Sequence, residues 1–132
     1  MTRAKRALAL LALVGVVAAI AIPAYQGYRP RALINEAVAD SIELRTRVSN
    51  FYETQRRLPQ ESEAGKFRAS ASDLKRAQAV VWDAVGRRIV VTVGDPQPGK
   101  RFALEAEERD GALVWTCRTI DLEPKYLPGG CR

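Results

Sequence analysis

The residues able to do chemistry are few, and their types exclude most catalytic schemes. The 132-residue chain has no histidine and two cysteines, Cys117 and Cys131. Imidazole bases, imidazole metal ligands and Cys/His dyads are therefore ruled out. Thirteen residues separate the cysteines. They read as one structural disulfide of an exported chain, because such bridges persist in oxidising compartments; reduced cytosolic thiols are the alternative. Closing a loop of about fifteen residues contributes roughly 3 kcal/mol on the chain-entropy picture, a large share of the stability of a small domain. The tail so enclosed holds Pro124, Pro128, Gly129 and Gly130, and is not expected to hold itself against the last strand by hydrogen bonds alone.

Glu105, Glu107, Glu108 and Asp110 alternate or adjoin along one predicted strand and its turn, the pattern of a wet face rather than of an acid–base pair. Asp95 and Asp121 lack the spacing of calcium ligands, and Gly129 and Gly130 open no helix that could cradle phosphate. No cofactor, metal site or enzymatic activity is expected. Arg56, Arg57, Lys75, Arg76, Arg87 and Arg88, with Lys66 and Arg68, could gather into a basic contact surface for nucleic acid. The formal charge is +6, yet Arg3, Lys5 and Arg6 supply half of it and no acid precedes Glu36, so the rest of the chain nets about +3. That modest excess, interspersed with acids, dilutes any such patch.

The elements that must position these residues begin with an apolar run. Ala7 to Ile22 is free of charge; as a helix it spans roughly 24 Å, and continuing through Pro23, Ala24 and Tyr25 brings it near the roughly 30 Å of a bilayer core. The basic residues before it place the amino terminus in the cytoplasm, and Tyr25 and Tyr28 suit the interface on the far side. A cleavable signal peptide satisfies the same pattern, with Ala19, Ile20 and Ala21 as its small-residue site. A buried helix of a soluble domain would need a polar face that this stretch lacks.

From Ile34 to Tyr52 the period changes. Ile34, Ala37, Val38, Ser41, Leu44, Val48, Phe51 and Tyr52 recur at spacings of three and four, which predicts an amphipathic helix stopped by Pro59. Its exposed face carries Glu43 four before Arg47 and Glu53 four before Arg57, an arrangement suited to ion pairs along the helix. Residues 60 to 76 read as a surface connection with a short helical turn at Ser72 to Arg76. Strands follow at Ala79 to Val85 and Arg88 to Val93, joined at Gly86, then at Phe102 to Ala106 and Leu113 to Thr116, joined by the hairpin pair Asp110-Gly111. A four-stranded antiparallel meander needs a cover for its apolar face, and the helix is the candidate. One domain is expected at 29–132, after an anchor at 1–28.

Ala18 to Tyr28, reading AAIAIPAYQGY, resembles the N-terminal helix of the type IV pilins, with Gly27 the single departure from their common AAIAIPAYQDY. Asn50 to Glu53 with Leu58 and Pro59 is similar to the end of the pilin spine helix. Trp115 to Cys117 and Lys125 to Arg132 are similar to the family's disulfide-bounded tail. The resemblance implies an α+β fold: a long N-terminal helix, half in the membrane and half amphipathic, packed on a four-stranded antiparallel sheet with a C-terminal disulfide loop. It also implies a structural subunit of a filament serving adhesion, motility or uptake. Its partners would be other pilin subunits, the pilus assembly machinery and the bacterial inner membrane, with the C-terminal domain in the periplasm. Arg6, Gly15, Pro23, Tyr25 and Tyr28 become the candidate positions of the membrane and assembly helix.

Alignment on Pro23 puts the family's processing glycine at Met1, its first mature residue at Thr2 and its glutamate at Arg6. An arginine there would repel a neighbouring amino terminus instead of attracting it, and would bury an unpaired charge. Two expectations follow: the biological start differs from Met1, or the chain is an unprocessed pilin-like protein, or filament accessory, whose anchor stays in the inner membrane.

Overall fold

The computed structural model describes residues 2–128, and of residues 23–28 the backbone alone. The chain divides into two compact units, Met1–Pro30 and Arg31–Arg132. Helix α1 is assigned from Arg3 to Asp40. Within the first unit, the stretch Arg3–Ile22 has a mean hydropathy of 2.2 and none of its most apolar window is buried. Its leucines, isoleucines and valines are exposed all round, with no polar stripe.

In the second unit the predicted amphipathic face forms, but on two helical segments. The last turns of α1 contribute Ile34 and Ala37; α2, Ile42–Gln55, contributes Leu44, Val48 and Tyr52, all buried. The break falls at Ser41, whose N–H and Oγ both bond back to the Val38 carbonyl, at 3.0 and 2.5 Å. A serine hydroxyl competing for a carbonyl of the preceding turn interrupts the regular ladder. The helix also stops before the position predicted from Pro59. Arg56 adopts a left-handed conformation at φ 55° and its N–H closes on the Tyr52 carbonyl, ending the helix at Gln55.

The sheet is the expected meander, antiparallel throughout in the order β1 (Ala77–Asp83), β2 (Arg88–Val93), β3 (Arg101–Arg109) and β4 (Ala112–Thr119). Its inward residues Val80, Trp82, Ile89, Val91, Val93, Phe102 and Leu104 pack with the helical face into one core. The Asp110-Gly111 turn behaves as predicted: both residues have positive φ, 52° and 79°, between the paired residues Arg109 and Ala112. The first hairpin differs, since the positive φ falls on Arg87 and not on Gly86. Gly86 is required for another reason. Its N–H donates to the Asp83 carboxylate at 3.1 Å, and a Cβ there would meet that carboxylate at 2.6 Å.

Residues 60 to 76 are more ordered than their composition suggested. They form 3₁₀ turns at Glu61–Lys66 and Ala71–Asp73, the second ahead of the turn predicted at Ser72 to Arg76. Between them Ala69 N–H donates to the Val80 carbonyl and Trp82 N–H to that of Phe67, so this short stretch pairs with the outer edge of β1.

The tail after β4 corrects a second expectation. The N–H groups of Ile120, Asp121 and Leu122 converge on the Arg101 carbonyl at 3.1 to 3.2 Å, and the Asp121 carboxylate accepts the Arg101 N–H at 2.5 Å. Leu122 and Leu127 are each 1% exposed within the core. The tail is thus fastened by hydrogen bonds and apolar burial to the start of β3, because its leucines supply core contacts that its prolines and glycines obscure in the sequence. Leu122→Ala should cost about 2–4 kcal/mol, as buried leucine truncations do, measured by urea unfolding of the chain in detergent through Trp82 and Trp115 fluorescence.

Candidate functional site

The surface of the second unit is organised by side chains that tie segments together. At the end of α1, Asp40 accepts the backbone N–H groups of Lys75, Arg76 and Ala77 at 2.8 to 3.1 Å, fixing the entry to β1. Partial burial pulls this carboxyl upward as the largest single influence. The N–H groups of Ala77, Arg76 and Lys75, with the Lys75 charge, outweigh it and hold the carboxyl below its ordinary range. One turn earlier Glu36 pairs with Arg76.

Along α2, two arginines clasp the connection that leads to the sheet. The pairs expected along the helix give way to longer reaches. Arg47 donates to the carbonyls of Lys66 and Arg68 and lies 5.7 Å from the Phe67 ring centre. Arg57 pairs with Glu63 at 2.6 Å and lies 5.0 Å from the ring of Phe51, which meets Phe67 edge-on at 5.3 Å. Carbonyls and an acid supplied by the folded connection outcompete a neighbour on an exposed helix, where such pairs are weak.

The predicted basic surface is divided. Lys75 and Arg76 precede β1, whereas Arg87 and Arg88 lie at the far end of the β1–β2 hairpin. Arg56 donates to the Gly111 carbonyl at 3.4 Å. Arg57, Arg76, Arg87 and Arg88 each face an acid: Glu63, Glu36, Glu108 and Asp83. The acids of β3 are paired likewise, Glu105 with Arg118 and Glu107 with Arg109. Among the described residues no cluster of acids, cysteines or histidines is arranged to hold a metal.

Cys117 is 5% exposed on β4 and is not a free thiol; Cys131 lies outside the described residues. Arg6 and Gly15 fall in the unburied apolar stretch of α1, and a Cβ at Gly15 would touch nothing within 4 Å. The assignment of α1 runs through Pro23, Tyr25 and Tyr28, whose side chains lie outside the described residues.

This geometry, an unburied apolar helix followed by a helix-covered meander with no assembled catalytic group among the described residues, is that of a structural part. The pilin family, described as bacterial filament, matches residues 30–132. The chain belongs to the type IV pilin family. This pilin is 32% identical over 130 residues to the fimbrial protein EcpC of Eikenella corrodens, covering 93% of the chain and 84% of that relative. It is 26% identical over 144 residues to a type IV major pilin protein, PilE1, of Neisseria gonorrhoeae, covering 93% and 87%. It is 29% identical over 134 residues to a fimbrial protein of Moraxella nonliquefaciens, covering 90% and 87%. The pilin's work is structural, as a subunit of pili.

The Asp40 contact was invisible in the sequence, where that residue is one acid among fifteen. Because its folded pKa lies below the ordinary carboxylate value, the stability it adds is present above that value and is lost as pH falls through the folded one. Asp40→Ala should cost about 1–3 kcal/mol at neutral pH, the effect of leaving charge-assisted hydrogen bonds unmade. It should also flatten the acid limb of the wild-type stability curve, read by thermal unfolding between neutral and acidic pH.

Proposed function

We propose that this pilin works in two settings. Before assembly it is a single-pass protein of the bacterial inner membrane, with its amino terminus in the cytoplasm and residues 31–132 in the periplasm. After assembly it is a subunit of a type IV pilus on the cell surface, its apolar helix packed among those of other subunits. The observation that carries this reading is the stretch Arg3–Ile22, apolar on every side and wholly unburied, in a chain whose remainder matches the pilin family. Leu8, Leu11 and Ile20 are 66 to 70% exposed, a surface that water tolerates poorly and that lipid or neighbouring helices would cover. The positive-inside rule supports the orientation, since Arg3, Lys5 and Arg6 stand before the apolar run. The partners on this reading are other pilin subunits, the assembly machinery and the membrane.

A second reading has its own observation. Three cations at the start of the helix oppose its withdrawal into an apolar filament core, which favours a membrane-resident, unprocessed pilin-like domain. Intact-mass and N-terminal sequence analysis of the protein from sheared filaments and from inner membranes separates the two. The first reading expects the chain in the filaments; its confinement to membranes while other pilins appear in the sheared fraction would establish the second.

Nucleic acid is the weakest of the proposed partners, because four of the six candidate cations face acids. The detergent-solubilised chain should leave immobilised duplex DNA at or below physiological salt. Retention requiring substantially higher salt would restore the uptake reading.

A further inference from the structure

The charge pattern of the apolar helix bears on which neighbour it can accept. Arg3, Lys5 and Arg6 lie within one turn of α1, about 4.5 Å of axial rise. Arg3 and Arg6, three apart, share a face. No aspartate or glutamate precedes Glu36, so this stretch carries no internal counter-charge. Packed helices lie about 8–10 Å apart. Two parallel copies in register would therefore bring six cations within about one Debye length, with no carboxylate from either chain to separate them. Below the cations the helix is uniformly apolar and unburied, so nothing else on it distinguishes a copy of itself from a foreign helix.

We propose that the helix Arg3–Ile22 selects a different subunit as its neighbour: an apolar helix that carries a carboxylate near its amino-terminal end, at the depth of Arg6. The inference rests on the reading of this chain as a filament subunit and refines it, making the protein a guest in a mixed assembly rather than the repeating unit of its own. A carboxylate opposite Arg6 gains a charge-assisted hydrogen bond in a medium that screens it little, whereas a second arginine there is repelled. Length and apolarity favour association with any such helix; the cations decide among them.

The test uses the full chain, donor-labelled on its globular unit, in neutral phosphatidylcholine vesicles, which contain no anionic lipid to mask the cations. Energy transfer is measured to an acceptor-labelled second copy, to a synthetic 24-residue leucine–alanine helix with glutamate at its fifth position, and to the same helix with glutamine there. The expected result is association with the glutamate helix about tenfold tighter than with the glutamine helix, a difference of about 1.4 kcal/mol, and weakest association between copies. Arg6→Glu should bring the glutamate helix down to the level of the glutamine one and raise self-association. Equal affinity for the two probes, or self-association matching the glutamate helix, would overturn the proposal. The outcome is distinguishable from failure of the filament reading. A chain absent from sheared filaments that still prefers the glutamate probe would refute filament incorporation alone, and filaments made of this chain without any other subunit would refute the selection.

Discussion

A four-stranded meander buries only one of its faces if something is laid across it, and in this protein that something is a strip of helix little more than twenty residues long. Ile34, Ala37, Leu44, Val48 and Tyr52 are the side chains that cover Val80, Trp82, Ile89, Val91, Phe102 and Leu104. Everything else in the second unit follows from keeping that strip in place. Asp40 and Glu36 tie its first part to the beginning of β1; Arg47 and Arg57 tie its second part to the connection that returns the chain to the sheet. Trp115 Nε1–H donates to the Ser49 hydroxyl at 3.2 Å, tying α2 to β4 as well. A two-layer core of this size has few residues to spare, so polar ties at its margins limit slippage that apolar burial, being non-directional, does not prevent.

The outer face of the sheet is handled by charge. Asp83, Arg88 and Glu105 follow one another across three strands in register, with Arg118 of β4 reaching Glu105 at 2.9 Å. Alternating signs across neighbouring strands favour the observed register and penalise a slipped one, though each exposed pair adds little alone. Ala103 beneath this ladder is fully buried although it faces away from the helices. Alternation along a strand thus identifies the wetter face without requiring every residue on it to be wet.

Periodicity made the frame of the fold legible. The strands and the helical face announce themselves by local pattern, and the Asp110-Gly111 turn by backbone chemistry that few other pairs satisfy. What escaped the sequence reading was nonlocal. Arg47 looks like a partner for Glu43 until the Lys66 and Arg68 carbonyls are brought beside it, and the tail looks loose until Arg101 is set under Ile120, Asp121 and Leu122. Leu122 and Leu127 were visible as residues but not as core, because proline-rich irregular chain has no period from which burial can be read. The two cysteines stood out by count alone, and their expected closure takes its place beside the leucine anchors and not before them. The apolar helix and its three cations were fully legible, since neither depends on any contact within the chain.

The Asp40 contact also sets a path for mechanical load. Between Asp40 and Lys75 lie α2 and the whole connection that follows it, yet the carboxylate brings the two ends of that segment together through three backbone N–H groups. A pull entering the folded unit along α1 therefore reaches β1 directly at Asp40, while the intervening residues form a side loop that carries little tension. A subunit built this way can let the surface of that loop drift in sequence without lengthening the span that bears the force.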